Sequence, residues 1–292
     1  MAIAVVTGTS TGIGLAVAAT LARAGHTVYA TMRNPATGGE ELRAMAEREH
    51  LPLRIAALDV DSNESVRTAF SGILSDAGRI DVLVNNAGVG GGGAVEETPI
   101  SVFRATMETN FFGALRCIQA VVPGMRERRS GCVINITSVA GRFSSAPQAP
   151  YSSSKFALEA LSECLAQEMK VFGVRVAIIE PGVIATPIFG KLLPPPADSK
   201  YPHSRRITEL FRASLENPVS PFVVGERIRE IVESGTWKLR HPVGPDAEGL
   251  LAWRASMTDE QWVDWGALSD EQWVEYVRRN FHLNVSLGSA SP

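Results

Sequence analysis

The 292-residue sequence predicts an α/β fold, in which the strands of a parallel sheet alternate with helices. One observation is the opening of the chain, where a short apolar run, Ala2–Val6, leads through a glycine-rich turn into an Ala/Leu-rich segment that ends at Gly25. A second is that this alternation recurs along most of the chain. A third is that the apolar runs are continuous, which is typical of strands buried on both faces of a parallel sheet.

Composition argues against several classes of protein. The net charge is -3 and the pI about 6.0, so no basic surface predicts binding to nucleic acid or to an anionic membrane. No apolar run approaches the ~20 residues of a membrane span. The widely spaced Cys117, Cys132 and Cys164 form no CxxC pair, so neither a metal site nor a disulfide framework is predicted. Three unpaired cysteines suit a reducing cytoplasm. We expect no signal peptide, because a phosphate-binding pattern already begins by Thr7.

The glycine-rich turn is Thr7-Gly-Thr-Ser-Thr-Gly-Ile-Gly14. Gly8, Gly12 and Gly14 let the backbone turn tightly and let a pyrophosphate approach the next helix, whose free N–H groups and dipole favour anions. The spacing GxxxGxG differs from the GxGxxG of the standard dinucleotide fingerprint. Glycines needed only for a turn are the alternative, but their place at the start of a βαβ unit favours a dinucleotide site.

The second strand, Thr27–Met32, ends at Arg33. Enzymes that prefer NAD usually carry an acidic residue at this strand end, where it binds the ribose 2′-hydroxyl. No acid stands here, and a guanidinium suits a 2′-phosphate, to which Ser10 and Thr11 add hydroxyl donors. The sequence therefore predicts NADP(H), with a solvated arginine at a strand end as the alternative.

The third strand, Pro52–Leu58, ends at Asp59. Asp61 and Glu64 resemble a capping pair for the helix that follows. Asp59 has two explanations that the sequence leaves open, a contact with adenine or a helix-initiating carboxylate.

The fourth strand, Ile80–Val84, leads into Asn85-Asn-Ala-Gly88 and a glycine run, which can bring backbone close to a flat ring. A long helical region follows, over about residues 99–125, and contains Asn110. Asn is a poor mid-helix residue, so its amide either satisfies a local backbone group or serves a polar purpose in a buried place.

The next strand, Cys132–Ile136, ends close to Ser138, where ligands bind in open parallel sheets. Tyr151 and Lys155 follow within reach of one loop, and their spacing puts them on one face of a helix. A free tyrosine titrates near ~10, and a neighbouring ammonium favours the phenolate. We therefore expect the pair to act as a tuned proton donor and acceptor. A turn serine and an exposed Tyr/Lys pair are the structural alternatives.

The strand Gly173–Ile179 runs into a loop and then into an irregular, Pro-rich stretch of about residues 187–221. Its apolar residues predict a flexible lid over an apolar pocket, although they could instead pack on the core. Val224–Val232 is predicted as a helix and Thr236–His241 as the last strand.

Residues 1–244 are predicted to form one dinucleotide-binding and catalytic domain, and residues 245–292 a helical extension. Trp262 and Trp273 are predicted to anchor the extension to the main body or to a partner chain, in preference to binding a ligand. Two short helices of the extension each open with a capping box, Thr258 with Gln261 and Ser269 with Gln272.

In combination these segments resemble the short-chain dehydrogenase/reductase family, in its single-domain branch, over roughly residues 2–242. The run Tyr29–Arg33 is similar to the hydroxysteroid and retinol dehydrogenase-like subgroup, which reinforces NADP(H). The matching motifs, in the family's order and spacing, are Thr7-Gly-x3-Gly-Ile-Gly14, Asn85-Asn-Ala-Gly88, Asn110, Ser138, Tyr151-x3-Lys155, and Pro181-Gly182 with Thr186.

The resemblance implies a doubly wound (Rossmann) sheet of seven parallel strands in the order 3-2-1-4-5-6-7. It also implies that Tyr151 is the proton donor in ketone reduction and the acceptor in alcohol oxidation. Lys155 would lower the pKa of that tyrosine and hold the nicotinamide ribose, and Ser138 would bind the substrate oxygen. Asn110 would hold a water that links Lys155 to solvent.

The resemblance further implies a cofactor site, in which the loop after the sixth strand holds the nicotinamide end and the loop after the fourth borders the adenosine. Its expected residues are Gly8, Ser10, Thr11, Gly12, Ile13, Gly14, Arg33, Asp59, Val60, Asn86, Ala87, Gly88, Tyr151, Lys155, Pro181, Gly182 and Thr186.

The expected protein is thus a cytoplasmic, NADP(H)-dependent carbonyl reductase or alcohol dehydrogenase. The apolar lid, and Phe143 close to the catalytic serine, favour a small hydrophobic ketone or secondary alcohol. Family members often dimerise, so a homo-oligomer is compatible with the sequence. A non-catalytic NADP(H)-binding sensor or scaffold is the alternative. A sugar-nucleotide epimerase of the extended branch is disfavoured by the glycine spacing and the short extension.

Overall fold

Seven parallel strands form one sheet in the computed structural model, which describes residues 1–191 and 199–287. The strands are β1 (Ile3–Thr7), β2 (Thr27–Met32), β3 (Leu53–Ala57), β4 (Val82–Asn85), β5 (Gly131–Ile136), β6 (Val174–Pro181) and β7 (Arg240–Val243). Their order, β3-β2-β1-β4-β5-β6-β7, confirms the predicted doubly wound topology. The carboxyl ends of all seven strands lie at the same edge, where a parallel sheet binds its ligands.

Helices cover both faces of this sheet. Those that precede the sixth strand are α1 (Gly12–Arg23), α2 (Pro35–Gly38), α3 (Glu40–Glu49), α4 (Asn63–Ala77), α5 (Ile100–Met107), α6 (Gly113–Glu127) and α7 (Ala149–Lys170). Those that follow it are α8 (His203–Ser214), α9 (Phe222–Ser234), α10 (Ala247–Ala255), α11 (Asp259–Gly266) and α12 (Asp270–Phe281).

The central strands bury both faces. Val84 and Ile134 pack in the apolar cluster under α1 and α9, whereas Leu83 and Val133 pack in the cluster under α4, α6 and α7. Successive side chains of a strand point to opposite faces, so a strand covered on both sides needs apolar residues at every position. This explains the continuous apolar runs of the sequence.

The predicted capping pair of Asp61 and Glu64 is wrong. Helix α4 begins after Ser62, whose extended backbone lets its side-chain oxygen accept a hydrogen bond from the Ser65 N–H at 3.2 Å. The Asp61 carboxylate instead accepts a hydrogen bond from the Thr109 hydroxyl at 3.0 Å, so it is used in a tertiary contact.

Two other segments differ from their predictions. The last strand begins at Arg240 rather than at Thr236, whose carbonyl oxygen lies 3.4 Å from a guanidinium nitrogen of Arg175. The predicted irregular lid contains the twelve-residue helix α8, which presents an apolar face to the extension. Residues 192–198 of the predicted lid lie outside the described residues.

Helices α11 and α12 of the extension pack against α8, whereas α10 packs against β7 and the turn after Ser138. Both predicted capping boxes are present, at the starts of α11 and α12. Trp273 is 3% exposed and packs with Ala213 of α8 and with Val277 and Val285. No helix within residues 1–191 and 199–287 is long and apolar enough to cross a membrane.

Candidate active site

A cavity of about 1180 Å³ opens at the carboxyl edge of the sheet. It is lined by the loops after β1 to β6, and by residues of α8 and of the extension. Every predicted catalytic and cofactor residue lines it except Gly14 and Asn110. Within the described part of the chain, no group of three or more His, Cys, Asp and Glu side chains could hold a metal ion.

The glycine loop after β1 brings three strand ends into contact. Gly8 and Gly12 have φ angles of 68° and 61°, a region that favours glycine. A Cβ on Gly8 would lie 2.7 Å from the Cα of Ala87, and a Cβ on Gly12 would lie 3.2 Å from the Thr186 side chain. Helix α1 then starts with no acidic residue in its first turn and no side-chain cap. Its amino end therefore has free N–H groups suited to a pyrophosphate.

Gly14 lies behind this loop rather than in the cavity, which differs from its expected cofactor contact. A Cβ there would lie 2.3 Å from the Gly8 carbonyl oxygen and 2.3 Å from Nδ2 of Asn86. The same Asn86 amide donates to the carbonyl oxygens of Thr7 and Gly8, at 2.8 and 2.9 Å. Gly14 thus permits the close packing that holds the loop, and its role is indirect.

The adenosine end of the cavity carries the predicted phosphate-binding groups. Arg33 is exposed and lines the cavity with Ser10 and Thr11, without an ion pair to any residue that the structure describes. Asp59 lines it too, and its Oδ1 accepts from the Asp61 N–H at 3.2 Å. The carboxylate of Asp59 therefore shapes its own turn while facing the cavity, so both explanations of this residue remain open.

Ser138 and Tyr151 bring two hydroxyl groups together. Ser138 follows β5 and its Oγ accepts from the Ala140 N–H at 3.1 Å, which orients the side chain. Tyr151 lies in the first turn of α7. Burial of its hydroxyl raises the pKa of Tyr151, and the neighbouring Ser138 side chain acts in the opposite direction. The Ser138 Oγ donates to the Pro181 carbonyl oxygen at 3.5 Å, and the Tyr151 hydroxyl lies close to this serine.

Lys155 lies one turn further along α7 and is 5% exposed. Its Nζ donates to the Ile136 carbonyl oxygen at 3.0 Å and lies 5.6 Å from the centroid of the Tyr151 ring. Burial lowers the pKa of Lys155 to about 8, against which the charge of Glu159 acts. The expected lowering of the tyrosine pKa is not what this arrangement produces, because burial of the hydroxyl dominates and the ammonium is bound to a carbonyl. The phenol is therefore held protonated.

Asn110 lies in a π-helical turn, Glu108–Phe112, between α5 and α6, and is 1% exposed. Its Oδ1 accepts from the Val89 N–H at 2.8 Å, and its Nδ2 donates to the Val89 carbonyl at 3.0 Å and to the Ser154 hydroxyl at 2.9 Å. The amide thus satisfies backbone groups of the loop after β4 and ties that loop to α7. It stands close behind the cavity, since a Cβ on Gly88 would be 3.3 Å from this Oδ1 and 3.7 Å from Nζ of Lys155.

A buried ionic network behind the catalytic residues was not anticipated from the sequence. The Glu159 carboxylate accepts from the Thr137 hydroxyl at 2.6 Å and from Nε of Arg240 at 3.1 Å. The same Nε lies 3.4 Å from the fully buried Glu180, which also accepts from Arg142 at 3.0 Å. The network joins the segments that carry Ser138, Lys155 and Pro181. A glutamate at the end of an apolar strand was the available signal, because a buried charge needs a partner.

A group of aromatic side chains also lines the cavity, and we call it the aromatic wall. The sequence links only Phe143 of the group to the substrate and predicts Trp262 as an anchor alone. Trp262 does donate its indole N–H to the Ser144 carbonyl at 3.1 Å, so it is both an anchor and part of the cavity. The wall comprises Phe143, Trp253, Trp262, Trp265 and Phe281.

A doubly wound sheet with a glycine loop and a Ser/Tyr/Lys set at its carboxyl edge defines a nicotinamide-dependent oxidoreductase. The model of the short-chain dehydrogenase family matches residues 2–196, and the chain belongs to that family. Human retinol dehydrogenase 8 is 37% identical over 237 residues, which cover 78% of this chain and 75% of that protein. This likeness agrees with the predicted subgroup.

Solved structures agree with the fold along almost the whole chain. A short-chain dehydrogenase from Streptomyces avermitilis is similar with a TM-score of 0.80 and 34% identity, covering 96% of this chain and 98% of the other. A variant of actinorhodin polyketide ketoreductase, solved with NADPH, is similar with a TM-score of 0.72 and 27% identity, covering 84% and 97%.

Proposed function

We propose that this protein is an NADP(H)-dependent oxidoreductase that transfers a hydride between the nicotinamide and a hydrophobic ketone or secondary alcohol. The observation that carries the proposal is that Ser138, Tyr151 and the buried Lys155 line one end of the same cavity as the glycine loop, with Nζ of Lys155 5.6 Å from the Tyr151 ring. A phenol and a hydroxyl at one point can bind the same carbonyl oxygen, which is the arrangement that carbonyl reduction needs.

In reduction, Tyr151 gives its Oη proton to the substrate oxygen. The raised pKa keeps the phenol protonated at neutral pH, so the donor is ready before the substrate arrives. Ser138 donates a hydrogen bond to the same oxygen, and this bond strengthens as negative charge builds there. In oxidation the same Oη takes the proton back.

Lys155 stabilises the phenolate that remains after the proton has left Tyr151. Its ammonium lies 5.6 Å from the tyrosine ring in a buried place, where a charge acts more strongly than it does in water. Below a pH of about 8 the lysine carries its charge, so the proposed reaction should slow as the pH rises above that value.

The residues of the cavity fit a nicotinamide dinucleotide. The amino end of α1, which has no side-chain cap, suits the pyrophosphate. Arg33 makes no ion pair with a residue that the structure describes and suits a 2′-phosphate, which favours NADP(H) over NAD(H). The similar ketoreductase solved with NADPH adds support. The nicotinamide, when bound, supplies or accepts the hydride. Pro181, Gly182 and Thr186 line the cavity, and the Pro181 carbonyl oxygen accepts from the Ser138 hydroxyl at 3.5 Å.

We also propose a cytoplasmic homo-oligomer. Phe112 and Phe156 are 42% and 43% exposed, and they lie beside Asn110 and on α7, respectively. Burial of these two side chains against a second chain would remove apolar surface from water and so be favourable. Light scattering on the purified protein, with Phe156→Glu as the disruptive variant, measures the mass and tests the assembly.

The test of the reaction is a panel of ketones and aldehydes assayed with NADPH by loss of nicotinamide absorbance. We expect turnover by the wild type, and near-complete loss in Tyr151→Phe with unchanged NADPH affinity, because only the transferable proton is removed. Substantial turnover in that variant would contradict the assigned role of Tyr151. NADPH binding without turnover on any carbonyl compound would instead favour the sensor or scaffold function.

A further inference from the structure

The aromatic wall differs in its burial from the apolar core of the extension. Trp273 and Val277, in that core, are 3% and 0% exposed, so they pack wholly against protein. Trp253, Trp262 and Trp265 are only half-buried, and all three line the cavity that holds Ser138 and Tyr151. Trp265 also packs against that core, and the Arg254 guanidinium lies 5.2 Å from the centroid of the Trp262 ring. These contacts leave part of each indole exposed, and the three rings contribute this surface to the lining of the cavity.

The rings of the wall hold one another in fixed planes. Trp262 and Trp265 stack with their centroids 5.0 Å apart and their planes 12° apart. Phe143 meets Trp262 edge to face at 5.7 Å and 82°, and it meets Trp253 at 6.3 Å and 88°. These are the geometries that aromatic pairs prefer. A surface that is already ordered loses little freedom when a ligand binds.

Hydrogen bonds fix the wall relative to the catalytic groups. The Trp262 indole N–H donates to Ser144, in the loop that begins at Ser138, and the Trp253 indole N–H donates to the Tyr276 hydroxyl at 2.7 Å. Phe143 belongs to the same loop and connects the wall to the reacting end of the cavity. A substrate whose carbonyl oxygen reaches Ser138 therefore extends toward rigid aromatic faces.

Flat and flexible apolar substrates gain differently from such a wall. A flat ring stacks on Phe143 or Trp262 without losing internal rotations, and it adds the attraction between aromatic quadrupoles. A saturated alkyl chain gains only the burial of its surface and loses rotational freedom along its length. The difference favours the ring, even when both ligands have the same number of carbon atoms.

We propose that the aromatic wall makes the substrate site selective for ketones whose carbonyl is attached to a flat aromatic or conjugated ring system. This proposal rests on the proposed function, because it assumes that the substrate carbonyl is held at Ser138 and Tyr151. Four of the five wall residues lie beyond residues 2–196, which the family model matches, so membership of the family does not by itself imply this selectivity.

The test compares 2-acetylnaphthalene with 2-dodecanone, which have the same number of carbons. Calorimetry on protein saturated with NADP⁺ measures their affinities, since no ketone can be reduced there. One aromatic pair contributes a factor of about 2 to 12 beyond surface burial, and we expect the aryl ketone to bind at least about fivefold tighter. In Trp262→Leu we expect this preference to fall below about twofold.

Trp237→Leu is the matched control, because Trp237 is 47% exposed, packs under Lys170 and lies outside the cavity. It should keep the wild-type preference for the aryl ketone.

Phe143→Leu replaces Trp262→Leu if the latter fails to fold. Equal affinities for the two ketones in the wild type, or an unchanged preference in a folded wall variant, would overturn the proposal. Ring-selective binding without turnover by NADPH would refute the proposed function and leave only a ring-binding surface. Turnover without ring selectivity would support the proposed function and overturn this inference.

Discussion

The charge on Lys155 should destabilise the folded protein. Burial lowers its pKa from 10.5 to about 8, a difference of about 2.5 units. At 1.36 kcal/mol per unit, keeping this ammonium in the folded chain costs about 3 kcal/mol at neutral pH. At a pH between about 8 and 10.5, Lys155 is protonated in the unfolded chain and mostly neutral in the folded chain. The cost is therefore full below a pH of about 8, and it declines as the pH rises toward 10.5.

Lys155→Met removes the charge and keeps much of the side-chain length. It also removes the hydrogen bond from this charged donor to Ile136, worth about 2 kcal/mol, so we expect a net gain of about 1 kcal/mol at neutral pH. With about 2.1 cal/mol/K of unfolding entropy per residue over 292 residues, the Tm should rise by about 2 °C. Catalytic activity should be lost, because the phenolate of Tyr151 loses its stabilising charge.

Scanning calorimetry at about pH 7 and about pH 9.5 measures the gain in stability of Lys155→Met and its dependence on pH. At the higher pH the gain in stability should fall to less than half of its value at about pH 7. Lys238→Met, which removes an exposed ammonium, is the control and should leave the Tm unchanged at both values. A Tm below that of the wild type at neutral pH would refute the reasoning. So would a gain that is the same at both pH values.

Three further predictions follow from the site and the extension. Arg33→Asp should weaken NADPH binding far more than NADH binding in fluorescence titrations, and an unchanged ratio would exclude the 2′-phosphate contact. Glu159→Gln should move the alkaline fall of kcat/KM to lower pH, because the charge of Glu159 raises the pKa of Lys155; a fall at the same pH would contradict this. Trp273→Ala should cost about 3 to 5 kcal/mol and lower the Tm by about 5 to 8 °C, whereas the exposed Trp237→Ala should change it little. Equal effects would show that Trp273 does not anchor the extension.

Much of the fold was predictable because its causes are local. Strands buried on both faces need continuous apolar runs, and the parallel sheet then brings the ends of β1, β4, β5 and β6 to one edge. The spacing of Tyr151 and Lys155 put both on one face of α7, and the cavity does contain them with Ser138. These predictions needed no knowledge of distant contacts.

The rest depends on contacts between distant parts of the chain. The pKa of Tyr151 rises because its hydroxyl is buried, and burial is a property of the assembled fold. Arg240 reaches Glu159 and Glu180 only after β7 has joined the sheet beside β6. In the same way, no pattern around Trp262 or Trp253 indicates that their rings meet Phe143, which precedes both by a long stretch of chain.

The π-helical turn at Asn110 couples the site to the placement of a whole helix. A helix turns by about 100° per residue, so deleting one residue from Glu108–Phe112 would rotate α6 by about that angle relative to α5. Cys117 and Val121, which pack against the sheet, would rotate toward solvent. The Asn110 amide would also lose its hydrogen bond with Val89. Shortening the chain here would damage folding and chemistry together, so lineages that inherit this enzyme should vary the length of their surface loops and preserve the length of this turn.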